Sequence, residues 1–147
     1  MNVVDDVSEF VREIKQGCWD KVLLQVSNLK IPLKKLEALH EHVFLEMVEL
    51  REVEAARALL HQSQVLNQVK NSDPEKYMEL EKCCNRTIID VKQLYNGLSR
   101  QKKRNEIAKS LEAEVQAVPP SRLMVLIGQA IKWYAELALS DMTESDT

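Results

Sequence analysis

The sequence predicts an all-α protein, and three features of its composition carry that prediction. Only 3 glycines and 4 prolines occur among 147 residues, whereas a β-rich fold needs many such turn residues. Hydrophobic residues make up 45% of the chain and recur at the i, i+3, i+4, i+7 spacing of amphipathic helices. Aromatic residues make up only 5%, which leaves few rings to line a ligand pocket. We expect a compact bundle of about seven to eight helices.

The first two helices are predicted from apolar stripes with clear ends. Asp6 precedes a stripe that predicts a helix over about residues 6–16, and Gly17 can end it in a left-handed conformation. The next stripe starts at Trp19 and predicts a second helix that ends near Leu29.

The middle of the chain leaves one alternative open. Pro32 separates the second helix from a long apolar stripe over residues 33–60, which fits two stacked helices or one bent helix equally well. Residues 67–73 are mostly polar. Asp73 before Pro74 then predicts the start of a helix that runs to Cys84.

The last third of the chain predicts two more helices. A loop at Asn96 and Gly97 comes first, and Ser99 then opens a helix that Pro119 and Pro120 stop. Ser121 is placed to cap the last helix, the most apolar segment of the chain, which is typical of a helix covered on several sides.

The histidines do not predict a metal or catalytic site. The zinc-protease motif that begins at His40 would need a second histidine at position 44, where Phe44 stands. We expect His40 and His42 to be surface or boundary residues, and His42 with Glu46 to form only a weak i, i+4 pair. The three glycines are far apart, which excludes a phosphate-binding loop. The sequence therefore predicts no enzyme, no metal site and no cofactor.

The cysteines and the chain's hydropathy favour an intracellular, soluble protein. Cys18, Cys83 and Cys84 are odd in number and lack CxxC spacing, so we expect three reduced thiols. No signal-peptide pattern precedes residue 10, and no apolar run approaches the ~18 residues of a membrane span.

A cluster of basic residues at the start of the helix after Ser99 has two interpretations. It can be a nuclear-import signal or a phosphate contact, or it can be a solvated helix start, where the macrodipole disfavours cations. The candidate residues are Arg100, Lys102, Lys103 and Arg104.

Apolar positions between Leu36 and Leu60 outnumber what one helix seam requires. They favour a groove for an amphipathic partner helix, with acidic residues along its rim. An equal alternative is that these acids only solvate a helix face. The candidate rim residues are Glu46, Glu49, Glu52 and Glu54. Trp19 and Trp133 are predicted as structural anchors at helix junctions.

Two stretches carry a resemblance to a known family. Residues 10–62, with Gly17, Trp19 and Asp20 in a Gly-x-Trp-Asp step, resemble the CTLH region of Smu-family WD-repeat splicing regulators. Residues 113–133, with the piece PPSRLM, resemble the helical segment that follows in the same proteins. The pieces QVSNLKIP and LEMVELRE resemble plant members of that family.

The resemblance implies a domain organisation. It suggests one helical domain over residues 4–139, divided into a CTLH-like part over about 4–62 and a C-terminal helical part over about 63–139, followed by an acidic tail over 140–147 that we expect to be disordered. The family's LisH dimerisation motif would lie before residue 1 and its propeller after residue 139, and we expect this chain to lack both. Without LisH we expect a mainly monomeric chain.

The resemblance also implies a function. It suggests a nuclear, non-catalytic role in pre-mRNA splicing, as an adaptor or a truncated competitor that binds the RED protein and other spliceosomal proteins. We expect this chain to bind no membrane and no small-molecule substrate. We also expect no direct RNA binding, since the basic cluster at the start of the helix after Ser99 makes only a small positive surface. The alternative is a CTLH-type subunit of a ubiquitin-ligase scaffold.

Overall fold

The computed structural model describes residues 3–117, and the fold class predicted from the sequence is confirmed over this part. It contains one short parallel strand pair and eight helices. The elements are β1 (Val3–Val4), α1 (Val7–Gln16), α2 (Trp19–Val26), α3 (Leu33–Glu49), α4 (Val53–Gln62), α5 (Gln64–Ser72), α6 (Pro74–Asn85), α7 (Val91–Leu94), α8 (Arg100–Glu112) and β2 (Gln116–Ala117). The predicted last helix, Trp133 and the acidic tail lie outside the described residues.

The ends of α1 follow the predicted signals. The Asp6 carboxylate accepts a hydrogen bond from the backbone N–H of Glu9 and so caps the helix. Gly17 ends α1 with a left-handed φ of 74°, and its N–H returns to the helix carbonyls.

The prediction that the second helix runs to Leu29 is wrong by about one turn, since α2 ends at Val26. Ser27 and Asn28 donate side-chain hydrogen bonds to the Leu24 carbonyl. These bonds compete with the helical ladder and favour a turn there.

Residues 33–60 form two helices, which decides between the two alternatives. Arg51 has a left-handed φ of 63° between α3 and α4, a backbone conformation that interrupts the helix there. The polar stretch before Asp73 belongs to α5, a helix that the sequence analysis did not predict, capped by the Ser63 hydroxyl.

The starts of α6 and α8 confirm two further predictions. Asp73 caps α6 with Pro74 in the first turn, and the Ser99 hydroxyl caps α8 by accepting from the Lys102 N–H. Asn96 and Gly97 form the predicted loop, both with positive φ. The four-residue helix α7 before this loop is too short for a periodic signal.

Helix α3 is the central element, because its buried residues belong to two apolar clusters. Leu39 and Val43 pack with α1, α2 and α8. Phe44 and Val48 pack with α4, α5, α6 and α7. A polar cluster built around one residue of α3 lies where the two meet.

A buried polar cluster and the adjoining cleft

The carboxylate of Glu46 is the centre of the polar cluster. Glu46 is buried, with 3% of its surface exposed. Its Oε1 accepts from the Trp19 indole N–H at 3.1 Å and from Arg104 Nη2 at 2.6 Å. Its Oε2 accepts from Arg104 Nε at 2.8 Å and bonds His42 Nε2 at 2.5 Å. We call Trp19, His42, Glu46 and Arg104 the Glu46 cluster. It joins α2, α3 and α8 through one carboxylate.

These bonds decide the protonation of Glu46. Burial raises the pKa of a carboxyl group, but the hydrogen bonds from Arg104, His42 and Trp19 outweigh burial and lower the pKa of Glu46 to about 2. Glu46 is therefore ionised at neutral pH. A buried anion that is bonded by a guanidinium and two ring N–H groups is typical of a structural charge pair.

Aromatic rings pack against one another around the Glu46 carboxylate. The His42 ring meets Trp19 edge-on at 5.6 Å between centroids and lies 5.5 Å from Tyr95. The Arg104 guanidinium lies 5.9 Å from the centre of the Trp19 ring, within cation–π range. The rings keep water away from the Glu46 carboxylate, which strengthens its hydrogen bonds.

Gly17 is the residue that allows Arg104 to reach the cluster. A Cβ atom at position 17 would lie 2.3 Å from Arg104 Nη2, inside van der Waals contact. The first two motif residues, Gly17 and Trp19, therefore both serve the Glu46 cluster, one by leaving space and one by donating a hydrogen bond.

Beside the Glu46 cluster, Tyr95 and Arg100 both contact the carboxylate of Glu49. The Tyr95 hydroxyl donates to Glu49 Oε1 at 2.6 Å, and Arg100 lies 3.6 Å from the same oxygen. Burial, together with the hydrogen bond to Glu49, raises the pKa of Tyr95. This pair ties α7 and α8 to the C-terminal turn of α3.

A cleft of about 400 Å³ opens next to the cluster, between the α1–α2 turn and the end of α3. Its apolar lining includes Trp19, Met47 and Leu50, and Leu50 is 56% exposed. Charged residues Asp20 and Glu52 lie at its edge and are exposed. We call this the Trp19 cleft.

The four residues predicted as an acidic rim lie in different surroundings. The prediction is wrong for Glu46, because its carboxylate is buried and fully bonded. Glu49 is half-buried and engaged by Tyr95 and Arg100. Glu52 is exposed and lines the Trp19 cleft. The Glu54 side chain is 93% exposed, pairs with Arg57 and lies outside that cleft.

The predicted basic patch is wrong for Arg104, since its guanidinium is held by Glu46 inside the domain. Arg100 is half-buried and paired with Glu49. Lys102 is exposed, and Lys103 is half-buried along a different cleft. The four cations therefore do not form one continuous surface.

The expectation of two surface or boundary histidines holds for His40 and fails for His42. His40 is half-buried and bonds the Leu36 carbonyl; burial lowers its pKa. His42 is buried. Its i, i+4 spacing from Glu46 was visible in the sequence, but Trp19 and Arg104, which bury the pair, are distant in the chain.

Two of the three cysteines in the described part are buried. Cys83 and Cys84 are free and buried, and burial raises the pKa of both thiols. Between residues 3 and 117 no group of histidine, cysteine or acidic side chains is arranged to hold a metal. None of the helices in that range is long and apolar enough to cross a membrane.

Fold and site together define an all-α helical domain, in which the main polar cluster lies in the interior and a partly apolar cleft opens at the surface. The comparison with known proteins identifies a relative. The chain is 34% identical over 134 residues to the WD40 repeat-containing protein smu1 of Dictyostelium discoideum. The match covers 90% of this chain and 25% of that protein, so the chain spans about a quarter of its relative's length.

The resemblance to Smu-type WD40-repeat proteins that the motifs predicted is thereby confirmed. No family model matches the chain.

Proposed function

We propose that this chain is a non-catalytic adaptor of the pre-mRNA splicing machinery in the nucleus, and that it binds a RED-type protein partner. The similarity to smu1 over 90% of the chain carries the proposal. The structure supports it with a surface suited to a partner helix, the Trp19 cleft.

The proposed partner lays an amphipathic helix in the Trp19 cleft. Its apolar face packs on Met47, Leu50 and the exposed part of Trp19, which gives the central contact. A basic residue at its edge pairs with Glu52 or Asp20. Apolar anchors at i, i+3, i+4 and i+7 of the partner fit a groove of this kind.

Two charge reversals test the cleft. Glu52→Lys changes a residue that lines the cleft, and Glu54→Lys changes an exposed residue of the same sign two positions away, outside it. With purified RED-type protein at low salt, we expect Glu52→Lys to slow association about tenfold and Glu54→Lys to leave the rate within about twofold. Equal effects of the two variants would place the partner elsewhere.

A third variant tests the apolar contact in the cleft, which should affect the dissociation rate more than the association rate. Leu50→Asp introduces a carboxylate into the apolar part of the cleft at an exposed position, so it should weaken the complex mainly through faster dissociation. Circular dichroism checks that the helices remain.

Co-purification from nuclear extract tests whether the chain acts in pre-mRNA splicing. Recovery of RED-type and spliceosomal proteins with the wild-type chain, and their loss with Leu50→Asp, is the expected result. Recovery of ubiquitin-ligase subunits instead would contradict the splicing role and support the CTLH-scaffold alternative.

A further inference from the structure

A second cleft lies between α1 and α2, and its charge differs from that of the Trp19 cleft. It has a volume of about 480 Å³ and is lined by Val3, Asp5, Glu9, Glu13, Lys21 and Leu24, among others. Asp6 also lines it, so four carboxylates face one lysine. Lys21 lines both clefts. We call this the α1–α2 cleft.

Glu13 is a buried residue of this cleft with only one of its two carboxylate oxygens hydrogen-bonded. It is 8% exposed, and its Oε1 accepts a hydrogen bond from the Gln25 side-chain amide at 3.3 Å. Its other oxygen, Oε2, is buried and has no hydrogen-bond partner among residues 3–117. The carboxylate of Glu46, by comparison, has both oxygens bonded.

An unpaired buried carboxylate oxygen is costly, because the group has lost water without gaining a donor. Such an oxygen becomes favourable when a ligand supplies the donor. A cationic donor is the best match, since hydrogen bonds to ionised partners are the strong ones.

The surroundings of Glu13 favour a positively charged ligand with an apolar flank. Asp5 and Glu9 are exposed at the cleft and attract cations from solution. Leu24 is 69% exposed beside them and offers an apolar surface. No metal-holding group occurs in the part of the chain that the structure describes. The complementary ligand is therefore a basic side chain with an aliphatic neighbour.

We propose that the α1–α2 cleft binds a basic segment of a partner protein, whose arginine or lysine side chain enters the cleft and donates a hydrogen bond to Glu13 Oε2. An aliphatic residue next to that cation packs on Leu24. This surface adjoins the Trp19 cleft at Lys21, but the proposal does not depend on the role proposed for the Trp19 cleft.

Short peptides test the ligand chemistry. Acetyl-Leu-Arg-Leu-amide is titrated into the ¹⁵N-labelled chain, alongside the peptides in which lysine or neutral citrulline replaces arginine. We expect amide shifts in α1 and α2 with the arginine or the lysine peptide, and binding at least about tenfold weaker with citrulline. Equal binding of the citrulline peptide would overturn the proposal. Raising the salt concentration should weaken the binding of the charged peptides only.

The variant Glu13→Gln separates a ligand-binding role from a structural one. Glutamine keeps the size of the side chain and an oxygen for the Gln25 amide, but removes the charge from the buried site. We expect the variant to be at least as stable as the wild type and to bind the arginine peptide about tenfold more weakly. A lower stability with unchanged peptide binding would show that Glu13 is structural and would overturn the proposal.

The matched control is Glu54→Gln, the same substitution at an exposed position outside the cleft. It should leave both peptide affinity and stability unchanged. Loss of binding in this variant as well would show a nonspecific charge effect and would also overturn the proposal.

Discussion

Arg104 bonds both oxygens of Glu46, Nε to Oε2 at 2.8 Å and Nη2 to Oε1 at 2.6 Å, although the two residues are 58 positions apart in the chain. This fork-to-carboxylate geometry is specific to arginine. It joins α8 to α3 at the boundary of the two apolar clusters. The most basic helix of the described part is therefore tied to the interior by one of its own cations.

Removing the charge of Glu46 should destabilise the domain strongly. In Glu46→Gln the Arg104 guanidinium stays largely buried, at 15% exposure, but loses its anion, and breaking one side of a buried pair costs about 3–5 kcal/mol. The exposed Glu52→Gln should change stability by less than about 0.5 kcal/mol. Urea unfolding followed by circular dichroism measures both. A loss below about 1 kcal/mol for Glu46→Gln would contradict the structural role of the pair.

The low pKa of Glu46 predicts an acid-dependent part of the stability. The pKa is about 2 in the folded state against 4.5 for the free side chain, so the native state holds the ionised form more tightly than the unfolded chain does. This contribution is complete above the unfolded pKa and is lost as the pH falls from about 5 towards 2. It amounts to about 3 kcal/mol.

The comparison of wild type with Glu46→Gln isolates that contribution. Other carboxyl groups titrate in both proteins, so the stability difference between them should shrink as the pH falls from about 5 towards 2. Urea midpoints measured across this range test the prediction. A difference that stays constant down to pH 3 would show that Glu46 has an ordinary pKa.

Comparing alanine substitutions at Gly17 and Gly97 measures the steric cost of a Cβ atom next to Arg104. Both have a left-handed φ, 74° and 86°, so alanine costs backbone strain of about 1 kcal/mol at either position. A Cβ at Gly97 meets nothing within 4 Å, whereas at Gly17 it meets Arg104 Nη2 at 2.3 Å. Gly17→Ala should therefore cost at least about 1 kcal/mol more than Gly97→Ala in thermal or urea unfolding.

The excess cost of Gly17→Ala should depend on Arg104. An arginine tip normally moves aside, but here its hydrogen bonds to Glu46 hold it in place. In an Arg104→Ala background the two glycine variants should cost the same, which a double-mutant cycle measures. An excess that persists without Arg104 would point to a backbone cause instead.

Local signals in the sequence predicted most of the helix starts, because the caps at Asp6, Asp73 and Ser99 act on residues three positions away. Helix α5 was missed because only Leu66 and Val69 of its nine residues are buried, too few for a periodic stripe. Its stability comes from packing on α3, α4 and α6, which a local pattern does not contain.

The site was predictable only in part for a related reason. The spacing of His42 and Glu46 indicated a pair, but the burial of that pair depends on Trp19 and Arg104, 27 and 58 positions from Glu46. A charged residue on a helix is read as exposed unless its distant partners are known. Glu46 was therefore assigned to the rim, and Glu52, which the structure places at the cleft, could not be told apart from it.

Trp19 offers the last test, because its two contributions can be measured separately. Its ring encloses the Glu46 cluster, and its N–H donates to Glu46 Oε1. Trp19→Phe keeps most of the ring and removes the donor, while Arg104 still bonds the same oxygen. We expect a loss of about 1 kcal/mol for this variant and about 3 kcal/mol for Trp19→Ala, which also removes the packing of a half-buried ring.

The stability of Trp19→Phe at acidic pH shows whether the variant loses the hydrogen bond to Glu46 or only packing contacts of the ring. The Trp19 hydrogen bond is one of those that lower the pKa of Glu46, so Trp19→Phe should raise that pKa in the folded state. The acid-dependent stability loss should then be smaller than in the wild type and should end at a higher pH. A change confined to packing would lower stability equally at all pH values. If Trp19→Ala leaves the thermal midpoint unchanged, Trp19 does not anchor the junction of α2 and α3.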